Sequence, residues 1–228
     1  MAILNTTLVY AILGGLVPAI FWLIFWLRED KKHPEPVGLI VFTFFLGMGC
    51  VFLAGPIQRW IAGFGFDDQT LIILWSAVEE FLKFGAVAVL ALKSGFLDEP
   101  IDYPMYAIAA ALGFAGLENI LYLHQPFALN HEIVGLLAGN LRFIGATLLH
   151  AIASSLIGIM MGLAFYQTYF VKKLSLIVGF VAAVALHSIF NFFIMKDEGR
   201  NVLGVFAFLW VITIISMLLF EKLKRMAN

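Results

Sequence analysis

Residues Thr6–Leu27 form a run of 22 without a single charged side chain. At about 1.5 Å of rise per residue, a helix of that length crosses the roughly 30 Å hydrocarbon core of a bilayer. Further runs of similar character follow at Val37–Ala54, Thr70–Leu92, Tyr103–Leu123, Phe143–Phe165, Leu174–Met195 and Val202–Phe220. In lipid only helices or closed barrels satisfy their own backbone, and runs this long and unbroken predict helices. The expected fold is an all-α polytopic membrane protein, a bundle of about seven transmembrane helices.

Composition supports the same class. Of the 228 residues, 62% are hydrophobic and 13% charged, with a mean hydropathy of +0.98. No repeat, low-complexity tract or soluble domain interrupts the pattern, so residues 1–228 read as a single membrane domain. A net charge of −1 without a basic tract argues against nucleic acid as a partner. The single cysteine, Cys50, excludes an intrachain disulfide and a cysteine-based zinc site. The N-terminus lacks the basic stretch of a cleaved signal peptide, and the first span is long enough to stay in the membrane.

The spans are separated by "REDKKHPEP", "GPIQRWIAGFGFDD" and "KSGFLDEPIDYP", among other breaks. The piece His124–Leu141, which carries Glu132, reads as a loop with a short interfacial or re-entrant helix; an eighth crossing is the alternative. With the N-terminus outside, the inner loops hold Arg28, Lys31, Lys32, Lys93, Lys172, Lys173, Lys222, Lys224 and Arg225. The outer side holds Arg59, Lys196 and Arg200, with Arg142 at a span end. The excess of inner positive charge predicts an N-out, C-in cell-membrane protein.

Against this apolar background, Glu79, Glu80 and Glu118 are the only acids in the predicted span interiors. Lys83 is the only interior lysine, and His150 and His187 are the only interior histidines. A charged group at mid-helix costs about 2.5–3.5 kcal/mol on insertion scales, so such residues face the bundle interior and usually serve function. A lone Glu–Lys pair can simply join two helices, and a lone membrane histidine is commonly a packing residue. Six such groups on four spans fit that simpler account badly.

Depth sharpens the point. From the rise per residue, Glu79 lies ~14 Å below the outer end of its span, Glu118 ~8 Å, His150 ~10 Å and His187 ~12 Å. The spans alternate in direction, yet all four residues fall in one leaflet. Independent packing residues have no reason to share a layer, whereas a single site does.

Within helices, Glu79 and Lys83 are four apart and share a face, with Glu80 rotated by about 100°. Phe114 and Glu118 are four apart, with Asn119 next, and so are His187 and Asn191. A carboxylate beside a lysine stays ionised, while one buried against another carboxylate holds its proton more tightly. That contrast suits general acid–base work on a water, and two adjacent donors on one face suit a developing oxyanion.

The segments "EEFLK", "FAGLE" and "HSIFN" read as E-E-x-x-K, F-x-x-x-E and H-x-x-x-N, in that order on separate spans. Together they resemble the PrsW-type intramembrane proteases, grouped with the CAAX prenyl endopeptidases and the CPBP (Abi) proteins. The resemblance covers Thr70–Met195, so the catalytic helices fall within residues 70–195. It implies a glutamate-dependent intramembrane endopeptidase, in some accounts a metalloprotease. Glu79 would be the general base, Glu80 its structural or electrostatic partner, and His187 with Asn191 the oxyanion hole. Lys83 and Phe114 would support them. Where the CAAX-type relatives have histidine, this chain has Glu118, and His150 is the candidate for the missing imidazole. The implied substrate is a single-span, membrane-anchored protein of the anti-sigma-factor kind, cut near the extracytoplasmic side.

Other readings use the same residues. Glu79, Glu118, His150 and His187 are sufficient ligands for zinc, although no H-E-x-x-H helix is present and Lys83 already offsets negative charge; the favoured reading requires no cofactor. A proton-coupled transporter would also need intramembrane carboxylates and histidines, but internal repeats are absent. A non-catalytic binding member of the group is a third reading. Haem ligation by His150 and His187 has no supporting motif. "GIMMG", Gly158–Gly162, is a small-xxx-small pattern expected to join helices within the bundle. Trp22, Trp26, Trp60 and Trp75 are expected at the membrane interfaces. Arg142 is expected to reach the headgroups; pairing with an acid of the site is the alternative.

Overall fold

The computed structural model describes residues 2–29, 34–128, 145–196 and 202–227. Among them are seven helices: α1 (Ala2–Leu27), α2 (Val37–Ala62), α3 (Asp68–Ser94), α4 (Asp102–Ala128), α5 (Thr147–Leu163), α6 (Tyr169–Lys196) and α7 (Val202–Ala227). Each corresponds to one expected span. Most run past the hydropathy boundary, because a helix continues into the interface wherever its flanking side chains can be solvated.

Five of the seven are long and apolar enough to cross a membrane. The two others are informative. Helix α3 has the length but carries Glu79, Glu80 and Lys83, and α5 has only 17 residues. These two contribute most of the polar interior, which neighbouring helices must shield from lipid.

Helix α2 departs most from expectation. Hydropathy ends its span at Ala54, before Gly55-Pro56, yet the helix continues through Pro56 to Ala62. A proline within a membrane helix is tolerated when neighbours and local adjustments satisfy the freed backbone group. Gln58 and Arg59 are therefore helical, not loop. Likewise, 124–128 extend α4 rather than forming a loop. The rest of the expected interfacial or eighth segment, 129–141, lies outside the described residues, as does Arg142.

Helix α4 is central, packing against α1, α2, α3 and α5. Its span is 72% buried, against 28% for α1 and for α7. Close approach makes this possible. A Cβ on Gly47 would lie 1.9 Å from the carbonyl oxygen of Ala110, and one on Gly113 would lie 1.8 Å from that of Phe44. The α2–α4 crossing thus needs glycine on both helices. The "GIMMG" glycines act similarly: Gly158 abuts Pro104 and Gly162 the carbonyl of Pro100, so the motif joins α5 to the start of α4.

Two of the four tryptophans are buried within the bundle. Trp26 is fully buried with its ring 4.9 Å from that of Phe220, and Trp22 is buried near Trp210. Both fill the seam between α1 and α7, where a large ring buries much apolar surface. Trp60 is exposed and Trp75 half-buried. At the end of the bundle shared by α1 and α7, Lys224 Nζ lies 2.6 Å from Glu29 Oε2. Nearby helix starts bring together Glu35, Asp102 and Tyr106, whose hydroxyl donates to the Glu35 carboxyl.

Candidate active site

Helix α3 presents Glu79 and Lys83 on one face and Glu80 beside them, and α2, α4, α5 and α6 close around these groups. The result is a buried polar core. Relative exposure is 6% for Glu79, 0% for Glu80, 1% for Lys83, 3% for His150 and 1% for His187. Burying so much charge is tolerable only if each group is hydrogen-bonded, and almost every one is.

Glu80 is saturated. Its Oε1 accepts from Lys83 Nζ at 2.7 Å and from His187 Nδ1 at 2.8 Å, while Oε2 accepts from Ser154 Oγ at 2.5 Å. Three donors from three helices engage both of its oxygens and make it a structural anion. The carboxylate also fixes His187. Since Glu80 accepts at Nδ1, the neutral imidazole carries its proton there and turns a bare Nε2 inward. That Nε2 lies 3.6 Å from Glu79 Oε2.

His150 is fixed from both sides. An ammonium only donates, so Lys83 Nζ donates to His150 Nδ1 at 2.7 Å, and Nε2–H donates to Glu118 Oε2 at 3.1 Å. The two imidazoles meet edge to face with centroids 4.9 Å apart. Phe114 closes the floor, its ring centroid 4.7 Å from Lys83 Nζ. Asn119, next to Glu118, is spent on Thr147, to which its Nδ2 donates at 2.9 Å.

Glu79 differs from every other member. Its Oε1 accepts from Gln58 Nε2 at 2.9 Å, but its Oε2 is buried and makes no hydrogen bond among the described residues. That oxygen lies 3.6 Å from His187 Nε2, 3.8 Å from Lys83 Nζ and 4.0 Å from His150 Nδ1. One carboxylate oxygen without a hydrogen bond among the described residues therefore faces two imidazoles and an ammonium.

The structure thus brings Glu79, Glu80, Lys83, Phe114, Glu118, His150 and His187 into one cluster. Asn191 lies a turn beyond His187, half-buried, and its carboxamide makes no hydrogen bond among the described residues. Two members were not foreseen. Ser154 is four residues after His150 on the same face of α5, and a polar i, i+4 pair could have found it. Gln58 gave no such signal, because the proline break placed it in a loop.

A cluster of this kind, sealed inside a helical membrane bundle, fits an intramembrane hydrolase. The chain belongs to the PrsW family of intramembrane proteases and is a multi-pass membrane protein. A family model described as "PrsW family intramembrane metalloprotease" matches residues 35–219. The Protease PrsW of Oceanobacillus iheyensis is 30% identical over 215 residues, covering 93% of this chain and 94% of that protein. That of Shouchella clausii is 27% identical over 226 residues, covering 96% and 97%. The Bacillus subtilis protein is 26% identical over 202 residues, covering 86% and 89%. No solved structure matches the chain.

The family description raises the matter of a metal. Glu79, His150 and His187 each offer a ligand atom, all within 4.8 Å of one another. The unsatisfied Glu79 Oε2 and the inward His187 Nε2 fit a His₂Glu set of the catalytic zinc type, and Glu80 and Glu118 orient the two imidazoles as outer carboxylates do. Glu118, expected as a possible fourth ligand, instead holds the far nitrogen of His150. Loading an ion would also require Lys83 to release His150 Nδ1.

Proposed function

We propose that this protein is an intramembrane endopeptidase in which Glu79 activates water to cut a membrane-anchored, single-span protein. The observation that carries the reading is the buried Glu79 Oε2, which has no hydrogen-bond partner among the described residues, while Glu80 and Glu118 each accept hydrogen bonds from neighbouring helices. A water there would complete its hydrogen bonding, with His187 Nε2 as a second acceptor. As the water oxygen bonds to the scissile carbonyl carbon, Glu79 takes its proton. The carbon–nitrogen bond then breaks, and the protonated Glu79 gives that proton to the departing amine. Asn191 supplies an unspent donor for the oxyanion; His187 joins it only in the doubly protonated form, because its Nδ1 proton is committed to Glu80. Lys83 offsets the charge of the two acids and keeps the network from repelling itself.

A second reading is favoured by the donor set of Glu79, His150 and His187. A divalent metal held there would supply Lewis acidity at the same place. In both readings Glu79 is essential.

Charge in the expected loops supports an N-out orientation, which puts Glu79 nearer the extracytoplasmic side. The resemblance set out above supports an anchored anti-sigma-factor-like protein as substrate. The test is co-expression of candidate anchored proteins with the wild type and with Glu79→Gln. Cleavage should occur only with the wild type, and the variant should insert at normal yield because Gln58 can still donate to a carboxamide oxygen. Retention of more than a few per cent of wild-type turnover by Glu79→Gln would count decisively against its role.

A further inference from the structure

A cavity of about 550 Å³ opens beside the first turns of α3, lined by Asp67, Asp68, Leu71, Ile72, Trp75 and Phe192, among others. Ile72, Trp75 and Glu79 follow an i, i+3, i+7 spacing, so the cavity lies along the same face of α3 as the proposed base. On the facing helix, Phe192 directly follows Asn191. The Trp75 indole N–H donates to the Gln58 carbonyl at 3.2 Å, and the Gln58 side chain holds Glu79. One wall of the cavity and the carboxylate are therefore parts of one bonded unit.

The inner part is apolar and the rim is acidic. Asp67 and Asp68 are both exposed at the α3 start. Asp67 accepts from Thr70 Oγ1 at 2.7 Å and from the amides of Gln69 and Thr70 at 3.1 Å each. The bonds from Thr70 hold its carboxyl below the usual carboxylate range, so the charge persists in mildly acidic surroundings.

We propose that this cavity is a substrate subsite: it receives a bulky apolar side chain of the protein being cut, while the Asp67–Asp68 rim receives a basic residue farther along that chain. The inference rests on the endopeptidase reading and specifies its substrate class. Spacing makes it quantitative. Along α3, Trp75 lies ~6 Å, Ile72 ~10 Å and Asp68 ~16 Å from the level of Glu79. An extended peptide advances ~3.3 Å per residue, so the apolar residue falls about two or three positions from the scissile bond and the basic one about five, on one flank only.

The experiment uses the full-length protein in liposomes with a library of single-span reporter proteins, both flanks of the cut randomised and cut sites read by mass spectrometry. Wild type should enrich Phe, Leu, Met or Trp at the second or third position of one flank and Lys or Arg near the fifth. Asp68→Lys, a change on an exposed turn, should reduce or invert the basic preference by about fivefold at low salt and less at high salt. It should leave the apolar preference intact. Leu71→Trp, which fills the cavity, should lower kcat/KM on Phe or Leu reporters roughly tenfold or more relative to Ala reporters. Glu79-dependent cleavage without side-chain preference at these positions would overturn the proposal, as would preferences unchanged in both variants; the cavity would then hold a lipid tail or stay clear of substrate. If no reporter showed Glu79-dependent cleavage, the endopeptidase reading itself would fall, and this inference with it.

Discussion

The Gln58 carboxamide donates to Oε1 of Glu79 at 2.9 Å, leaving Oε2 as the oxygen that faces the imidazoles. A carboxylate rotating freely about its last torsion would divide its time between two orientations. Held by Gln58, it presents one oxygen in one place. Positioning of this kind converts binding energy into rate, because the reacting group is already aligned.

Replacing Gln58 by Leu should therefore lower kcat with little change in KM. A hydrogen bond to a charged group is worth about 1.5–3 kcal/mol, which corresponds to roughly 10- to 100-fold in rate. Steady-state kinetics on a cleaved reporter would measure it, and Gln58→Asn should recover part of the loss. A rise in KM at unchanged kcat would instead assign Gln58 to substrate binding.

Ser154→Ala should act mainly on stability. Among the described residues it removes the single donor to Glu80 Oε2 and leaves a fully buried carboxylate oxygen without a partner. The expected cost is about 1–3 kcal/mol, visible as a lower thermal midpoint in detergent, whereas Ser154→Thr should retain most of the bond. An unchanged midpoint in Ser154→Ala would mean that Glu80 is satisfied in some other way.

Asn191→Ala and His187→Ala separate the two chemical readings. If Asn191 contacts the oxyanion, its loss should lower kcat on the order of 10²–10³ with KM nearly constant and metal content unaffected. Full activity in Asn191→Ala, together with metal lost from His187→Ala and activity abolished by chelator and restored by zinc, would establish the metal-dependent route. His187→Ala alone decides nothing, since the imidazole is required in both.

The Glu35 cluster predicts a pH effect remote from the chemistry. Burial pushes the Glu35 carboxyl up, aided by the charges of Asp98 and Glu99, although hydrogen bonds from Tyr106 and Asp102 act in the opposite sense. An acid whose folded pKa is raised contributes stability that is fully present below its ordinary value of about 4.5 and is lost as pH rises through the folded value. Thermal unfolding of wild type and Glu35→Gln across pH should show wild type losing stability relative to the variant as pH increases. A difference curve that is flat, or slopes the other way, would refute the assignment.

Much of the polar cluster could be read before any fold was known. Glu79, Glu80, Lys83, Glu118, His150 and His187 stand out because an ionisable group within an apolar span is too costly to face lipid, and their common depth placed them in one layer. The division of labour could not be read. Glu80 and Glu79 are adjacent in sequence and identical in chemistry, yet one is saturated by Lys83, His187 and Ser154 while the other keeps an open oxygen. That difference arises from how α5 and α6 cross α3, at distances set by contacts between segments far apart in the chain. Gln58 was hidden for a related reason: hydropathy ends the second span at a proline, but packing carries α2 onward to a carboxylate 21 residues away.

By itself the sequence determined that the chain spans the membrane as a helical bundle and that its interior holds a polar cluster. Both follow from local energetics: backbone groups in lipid must bond within their own helix, and charges must leave the lipid face. Only the tertiary structure decided which lone pair stays open, because hydrogen-bond pairing depends on sub-ångström differences in helix approach. The Gly47–Ala110 and Gly113–Phe44 contacts, where a single added carbon would collide with a carbonyl, show how tightly that approach is held.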